Sequence, residues 1–226
     1  RPEFSTKTGR QEITFGTEFQ FGNHDWYNGL AHDATRWDWD GEDFSLTALY
    51  IRSTGQAADA NQMSNWNNNH DDDSIYGLYF ALKTIENTDV ELYWIYSDGH
   101  AANAPNGNNE YFSTVGGRLG GSFGGVGEGL DWGIEAAYQF GETDDGVNDV
   151  DAWTLEASAS VGFGGGFGAF ARFLVAEGAD DGDNAYQPLF PETHSNSAGA
   201  RYGLADLLPM TNIVSLQGGF SFSPAE

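Results

Sequence analysis

Apolar residues recur at every second position through most of this chain, most clearly between Glu110 and Val175. In 130–140, Leu130, Trp132, Ile134, Ala136, Tyr138 and Phe140 form one series, opposite Asp131, Gly133, Glu135 and Gln139. The stretch 151–161 sets Trp153, Leu155, Ala157, Ala159 and Val161 against Thr154, Glu156, Ser158 and Ser160. In 110–120, Tyr111, Val115 and Leu119 oppose Thr114, Gly116 and Arg118; in 167–175, Phe167, Ala169, Ala171, Phe173 and Val175 oppose Arg172. Successive side chains of a strand point to opposite faces, so a two-residue period predicts strands rather than helices.

The same period predicts strands over 33–40, 43–52, 73–83, 89–97 and 212–222. A first strand is expected over 9–22, with Ile13, Phe15, Phe19 and Phe21 on its apolar face and Arg10, Glu12 and Thr14 opposite. That makes about ten strands, joined by connectors that alternate between short and long. The stretch 176–211 is too long for a plain hairpin loop and is expected to fold inward or to carry a short helix.

An apolar outer face, a polar inner face and alternating connectors are the pattern of an all-β, antiparallel transmembrane β-barrel of the bacterial outer membrane. A soluble sandwich shares the period. It does not account for strands of about 9–11 residues bearing outward aromatics, the length a tilted membrane crossing needs. Trp37, Trp39, Trp94, Trp132 and Trp153 fall on the lipid side by parity, several at the level of the interfacial girdles. The long connectors are expected outside the cell and the short turns on the periplasmic side.

Composition removes several alternatives. Cysteine is absent, which excludes disulfides and thiolate metal sites. A net charge of −25 argues against nucleic acid, whose binding needs Lys and Arg to neutralise phosphates. The first residues lack the charged-then-apolar layout of a signal peptide, so an exported chain is expected in mature or trimmed form. Acidic residues concentrate in the connectors 53–73, 141–151 and 177–200. They suit a solvated surface or divalent cations bridging to lipopolysaccharide, with Asp180, Asp181 and Asp183 as calcium candidates that lack a full EF-hand spacing. No other cofactor is expected.

By parity Arg10, Arg36, Lys83, Arg118 and Arg172 face the interior together with Glu12, Glu91, Glu135 and Glu156. Arginine is always charged and binds carboxylates in a planar fork, so these residues either line an anion-selecting constriction or pair with the glutamates to hold a polar wall. Catalysis is not expected. The pairs His24-Asp25, His32-Asp33 and His70-Asp71 fall in connectors, and no Gly-x-Ser-x-Gly elbow, His-Glu-x-x-His helix or phosphate loop occurs.

Gly9-Arg10-Gln11 and Phe15-Gly16, followed by Trp26 and by Asp33-Ala34-Thr35-Arg36-Trp37-Asp38, resemble the alginate-export family of outer-membrane porins. The family's strand begins Asp-Gly-Val where this chain has Asp33-Ala34-Thr35. Leu189-Phe190-Pro191, His194, Gly203, Asp206 and Asn212-Ile213 look like its later loop-and-strand motif. The resemblance implies a barrel of about 16–18 strands that passes an anionic solute or polysaccharide. Residues 1–226 are then expected to be a single barrel domain lacking further strands. Expected partners are outer-membrane lipid, lipopolysaccharide and an anionic solute or oligosaccharide. The rival reading is a structural or sheath-type barrel that holds a partner or packs in a surface array, its lumen plugged.

Overall fold

The computed structural model describes residues 2–22, 30–54, 72–99, 110–125, 127, 129–143, 149–179, 183–192, 201 and 210–223. Eleven strands follow in chain order: β1 Glu3–Gln11, β2 His32–Asp40, β3 Phe44–Thr54, β4 Asp72–Leu82, β5 Thr88–Asp98 and β6 Glu110–Phe123, then β7 Gly129–Thr143, β8 Asp149–Gly164, β9 Phe167–Ala176, β10 Asp183–Asn184 and β11 Ile213–Phe222. Ten of them form one antiparallel sheet in the order β1-β2-β3-β4-β5-β6-β7-β8-β9-β11, and the two-residue β10 lies parallel on the start of β8. No described helix is long and apolar enough to cross a membrane.

The alternation expected from the sequence sets the two faces of the sheet. Trp37, Trp39, Leu46, Tyr76, Leu78, Trp94, Val115, Ile134, Tyr138, Trp153 and Phe173 lie on one face and are exposed. Trp132 shares that face but is half-buried, stacked on Phe123 at 5.6 Å. An arginine in place of Ile134, 47% exposed between Leu119 and Ala157, should cost about 2–4 kcal/mol if the site lies at the bilayer midplane. Urea titration of the protein folded into vesicles measures this, and an unchanged midpoint would reverse the assignment of faces.

The pairing runs past the alternating stretch. β6 to β8 are 14 to 16 residues long, where periodicity suggests 11. Backbone hydrogen bonding continues through glycines that carry no apolar signal. Tight turns close the short ends: Gly165 and Gly166, between β8 and β9, have φ of 63° and 81°, values that suit glycine and match the twist of the flanking strands.

The first strand is corrected by the structure. β1 is Glu3–Gln11, and the segment after it leaves the sheet and packs against the opposite, inner face. Ile13, Phe19 and Phe21 are fully buried there rather than turned outward. Gly16 lets this segment pass the wall. Its φ is 52°, and a Cβ would meet Glu91 Oε2 at 2.6 Å and Tyr79 Oη at 2.7 Å. The connector after β9 also turns inward. Phe21 pairs with Phe190 in a parallel bridge, and Gly22 N, Phe190 N and Glu192 N donate to Phe190 O, Gln20 O and Glu18 O at 2.7–2.9 Å. The described parts of these two connectors thus form one inner plug, with Tyr186, Leu189 and Met210 buried beside it. Burying a phenylalanine is worth roughly 1.5–3 kcal/mol, which explains why this segment leaves water for the inner face.

Candidate functional site: the charged inner face

Strand register assembles the site. Glu91 lies opposite Arg118, Arg118 opposite Glu135, and Glu135 opposite Glu156, so four adjacent strands carry one continuous charged row. Arg118 Nη1 reaches Asp89 at 3.2 Å and Glu91 at 3.5 Å. Tyr79 donates to Glu91 at 2.8 Å, and Phe15 of the plug stacks on the Tyr79 ring at 4.3 Å.

Glu135 and Glu156 are both buried and directly opposed, an arrangement that repels unless other groups compensate. The plug supplies most of the compensation. Thr17 Oγ1 donates to Glu135 at 2.8 Å. Arg201 donates to Glu156 through Nε at 2.7 Å and Nη2 at 3.2 Å, while Arg172 approaches the same carboxylate at 3.8 Å. Arg201 is only 2% exposed. It also donates to the carbonyls of Glu192 and Thr17, lies over the Phe19 ring at 5.4 Å, and accepts at its own carbonyl from Gln217 of β11. Tyr186, outside the strands, takes a hydrogen bond from Gln20 at 2.8 Å, and burial pushes its hydroxyl pKa up.

A cavity of about 220 Å³ remains between plug and wall. Arg118, Arg172, Arg201, Asp131, Glu135 and Glu156 bring charge to it, with Ser158 and Ser160 as neutral donors. Farther along the face, Arg36 Nε donates to both carboxylate oxygens of Asp38 at 2.7 and 2.9 Å, and Thr47 donates to Asp38 at 2.6 Å.

Six of the expected lining residues therefore share the inner face: Arg36, Glu91, Arg118, Glu135, Glu156 and Arg172. Two depart from expectation. Arg10 stands opposite Asp33 and donates to it at 2.9 and 3.1 Å on the outer face, because β1 ends at Gln11 and its parity is the reverse of that assumed. Lys83 lies just beyond β4, at the rim, paired with Asp40. Glu12 is exposed in the segment leaving β1. His32 and Asp33 belong to β2 rather than a connector and point to opposite faces, His32 against the Phe190 ring at 4.6 Å.

Asp180, Asp181 and the other His-Asp pairs lie outside the described residues, and only the backbone of Asp183 is described, pairing with Asp149. Sequence reasoning missed Arg201, although it is the only Lys or Arg in the connector 177–212.

Residues 2–226 match a family model described as alginate export. No curated protein matches the chain.

Proposed function

Because this chain belongs to the alginate-export family, we propose that it forms wall and plug of an outer-membrane channel through which an anionic polysaccharide passes. The single observation that carries this reading is the two-sided sheet. An aromatic, apolar outer face backs an inner face on which Arg36, Arg118 and Arg172 recur from β2 to β9. Exposed charges are screened beyond about 8 Å at physiological salt, whereas a lumen is shielded less. Acidic residues on the connectors therefore count for little at the wall, where the field is set by the arginines and the carboxylates beside them. Each of the three stands beside a carboxylate, so a passing polyanion exchanges with wall glutamates and aspartates for the same guanidinium forks.

The complete protein in planar bilayers tests this. Conductance should be blocked by an anionic oligosaccharide more strongly than by a neutral one. Changing Arg36, Arg118 and Arg172 to glutamine should move the reversal potential toward cations and weaken the block, and glutamine at Glu91, Glu135 and Glu156 should move it the other way. Arginine variants with unchanged ion preference would leave these residues as wall-pairing groups and remove the anionic substrate.

A second reading takes its support from the plug: a structural barrel whose interior is occupied. It predicts no conductance at all.

The orientation has its own test. Gly124, in the turn between β6 and β7, is exposed with open space around its Cα. A cysteine there, in a protein with none, should escape an impermeant thiol reagent on intact cells. Efficient labelling would place the short turns outside.

A further inference from the structure

Three rows of side chains, read across the strands, grade the outer face at the long-connector end. Leu78, Trp94 and Val115 stand in one apolar row. One two-residue step along, about 7 Å, come Tyr50, Tyr76 and Tyr96, directly opposite one another with ring centroids 5.2 and 6.3 Å apart. One step further the row is charged: Arg10 opposite Asp33, then Arg52 opposite Ser74 and Ser74 opposite Asp98; beyond Tyr111 it turns acidic at Glu142 and Asp149, so its basic part is the β1–β3 edge.

The two ends of the outer face differ. At the short-turn end the aromatic pairs carry no hydroxyls, with Phe44 on Phe80 at 5.6 Å and Phe167 on Phe222 at 4.5 Å. Among the described residues the outward-facing arginines are Arg10 and Arg52, both at the long-connector end. A chain of net charge −25 with nine Lys and Arg thus spends two of them on one rim of its lipid face.

We propose that this rim binds the phosphates of a glycolipid headgroup in the outer leaflet. Arg10 and Arg52 meet the phosphates, and the tyrosine row below them seats the sugar and the start of the acyl chains. The proposal rests on the orientation given above but not on what the channel carries. Tyrosine is suited to this level because its ring is apolar and its hydroxyl wet. The pair Arg10–Asp33 is largely solvated, at 72% and 49% exposure, so a phosphate competes with Asp33 at little cost. A leaflet dense in phosphate on one side only accounts for arginines at one end only.

The test uses the full chain folded into phosphatidylethanolamine vesicles in EDTA, so that no divalent bridge is read. Each vesicle also holds lipid A with both glucosamine phosphates, the same glycolipid dephosphorylated, or phosphatidylglycerol at equal charge. Phosphorylated lipid A should raise the thermal unfolding midpoint above both other additives. The double variant Arg10→Gln/Arg52→Gln should lose that rise while keeping its midpoint in phosphatidylethanolamine alone, and Arg10→Lys/Arg52→Lys should retain most of it. An equal rise with dephosphorylated glycolipid or phosphatidylglycerol, or an undiminished rise in the glutamine variant, would overturn the proposal. Conductance recorded in lipid A-free bilayers reports on the channel separately.

Discussion

Replacing Arg201 with methionine should destabilise the folded protein by about 3–5 kcal/mol, the cost of breaking a buried ion pair by removing one partner. The size follows from what is left behind. Among the described residues Glu156 then keeps Arg172, at 3.8 Å, while Glu135 stays opposite it. The carbonyls of Glu192 and Thr17 lose a buried donor. Methionine fills much of the volume and retains contact with Phe19, so the loss reports on charge and hydrogen bonding rather than on a hole. Denaturant unfolding in detergent micelles measures it. A second change, Glu156→Gln, should recover part of the loss by removing the stranded carboxylate. A single variant within about 1 kcal/mol of the parent would mean that the plug does not depend on this residue.

Phe21→Ala should cost about 3–5 kcal/mol, the range for truncating a buried aromatic. Phe21 is fully buried, with Phe15 edge-on at 6.0 Å, Phe190 at 5.7 Å and His32 at 6.3 Å. Phe220→Ala is the control, since Phe220 is 89% exposed on the outer face of β11 and should change little in micelles. If the two substitutions cost the same, the segment after β1 does not occupy the inner face.

Most of the sheet was legible because a two-residue period has only one free choice, which face is apolar. Once Ile134 and Trp153 were set outward, Glu135, Glu156, Arg118 and Arg172 were set inward with them. The segment carrying Ile13, Phe19 and Phe21 shows where that logic ends. An extended stretch with apolar residues at odd positions looks the same whether it faces lipid or packs inside a barrel. The distinguishing features were local: Gly16 and Gly22 interrupt a strand, and Glu18 sits at a φ of 61°, which no regular strand allows. Misreading this segment also reversed the face of Arg10. Arg201 was harder still, since its position is set by tertiary contacts with Glu156, Thr17 and Glu192, and parity has nothing to say about a residue outside the sheet.

The charged row from Glu91 to Glu156 bears on how the protein assembles. A hairpin that slips by one residue moves Arg118 or Glu135 from the inner face to the apolar outer face. A slip of two keeps the faces but sets Arg118 across from Gly133 or Ala137, leaving two facing charges unmatched. Either misalignment strands an ion in a poorly hydrated place, a penalty of several kcal/mol per charge that the aromatic outer face, tolerant of sliding, does not impose. The row therefore works like the index marks on a ruler. For the β5–β6 and β6–β7 pairings one alignment sets Arg118 against Glu91 and Glu135, so misregistered intermediates there are short-lived, and reversing Arg118 should slow folding more than it weakens the finished sheet.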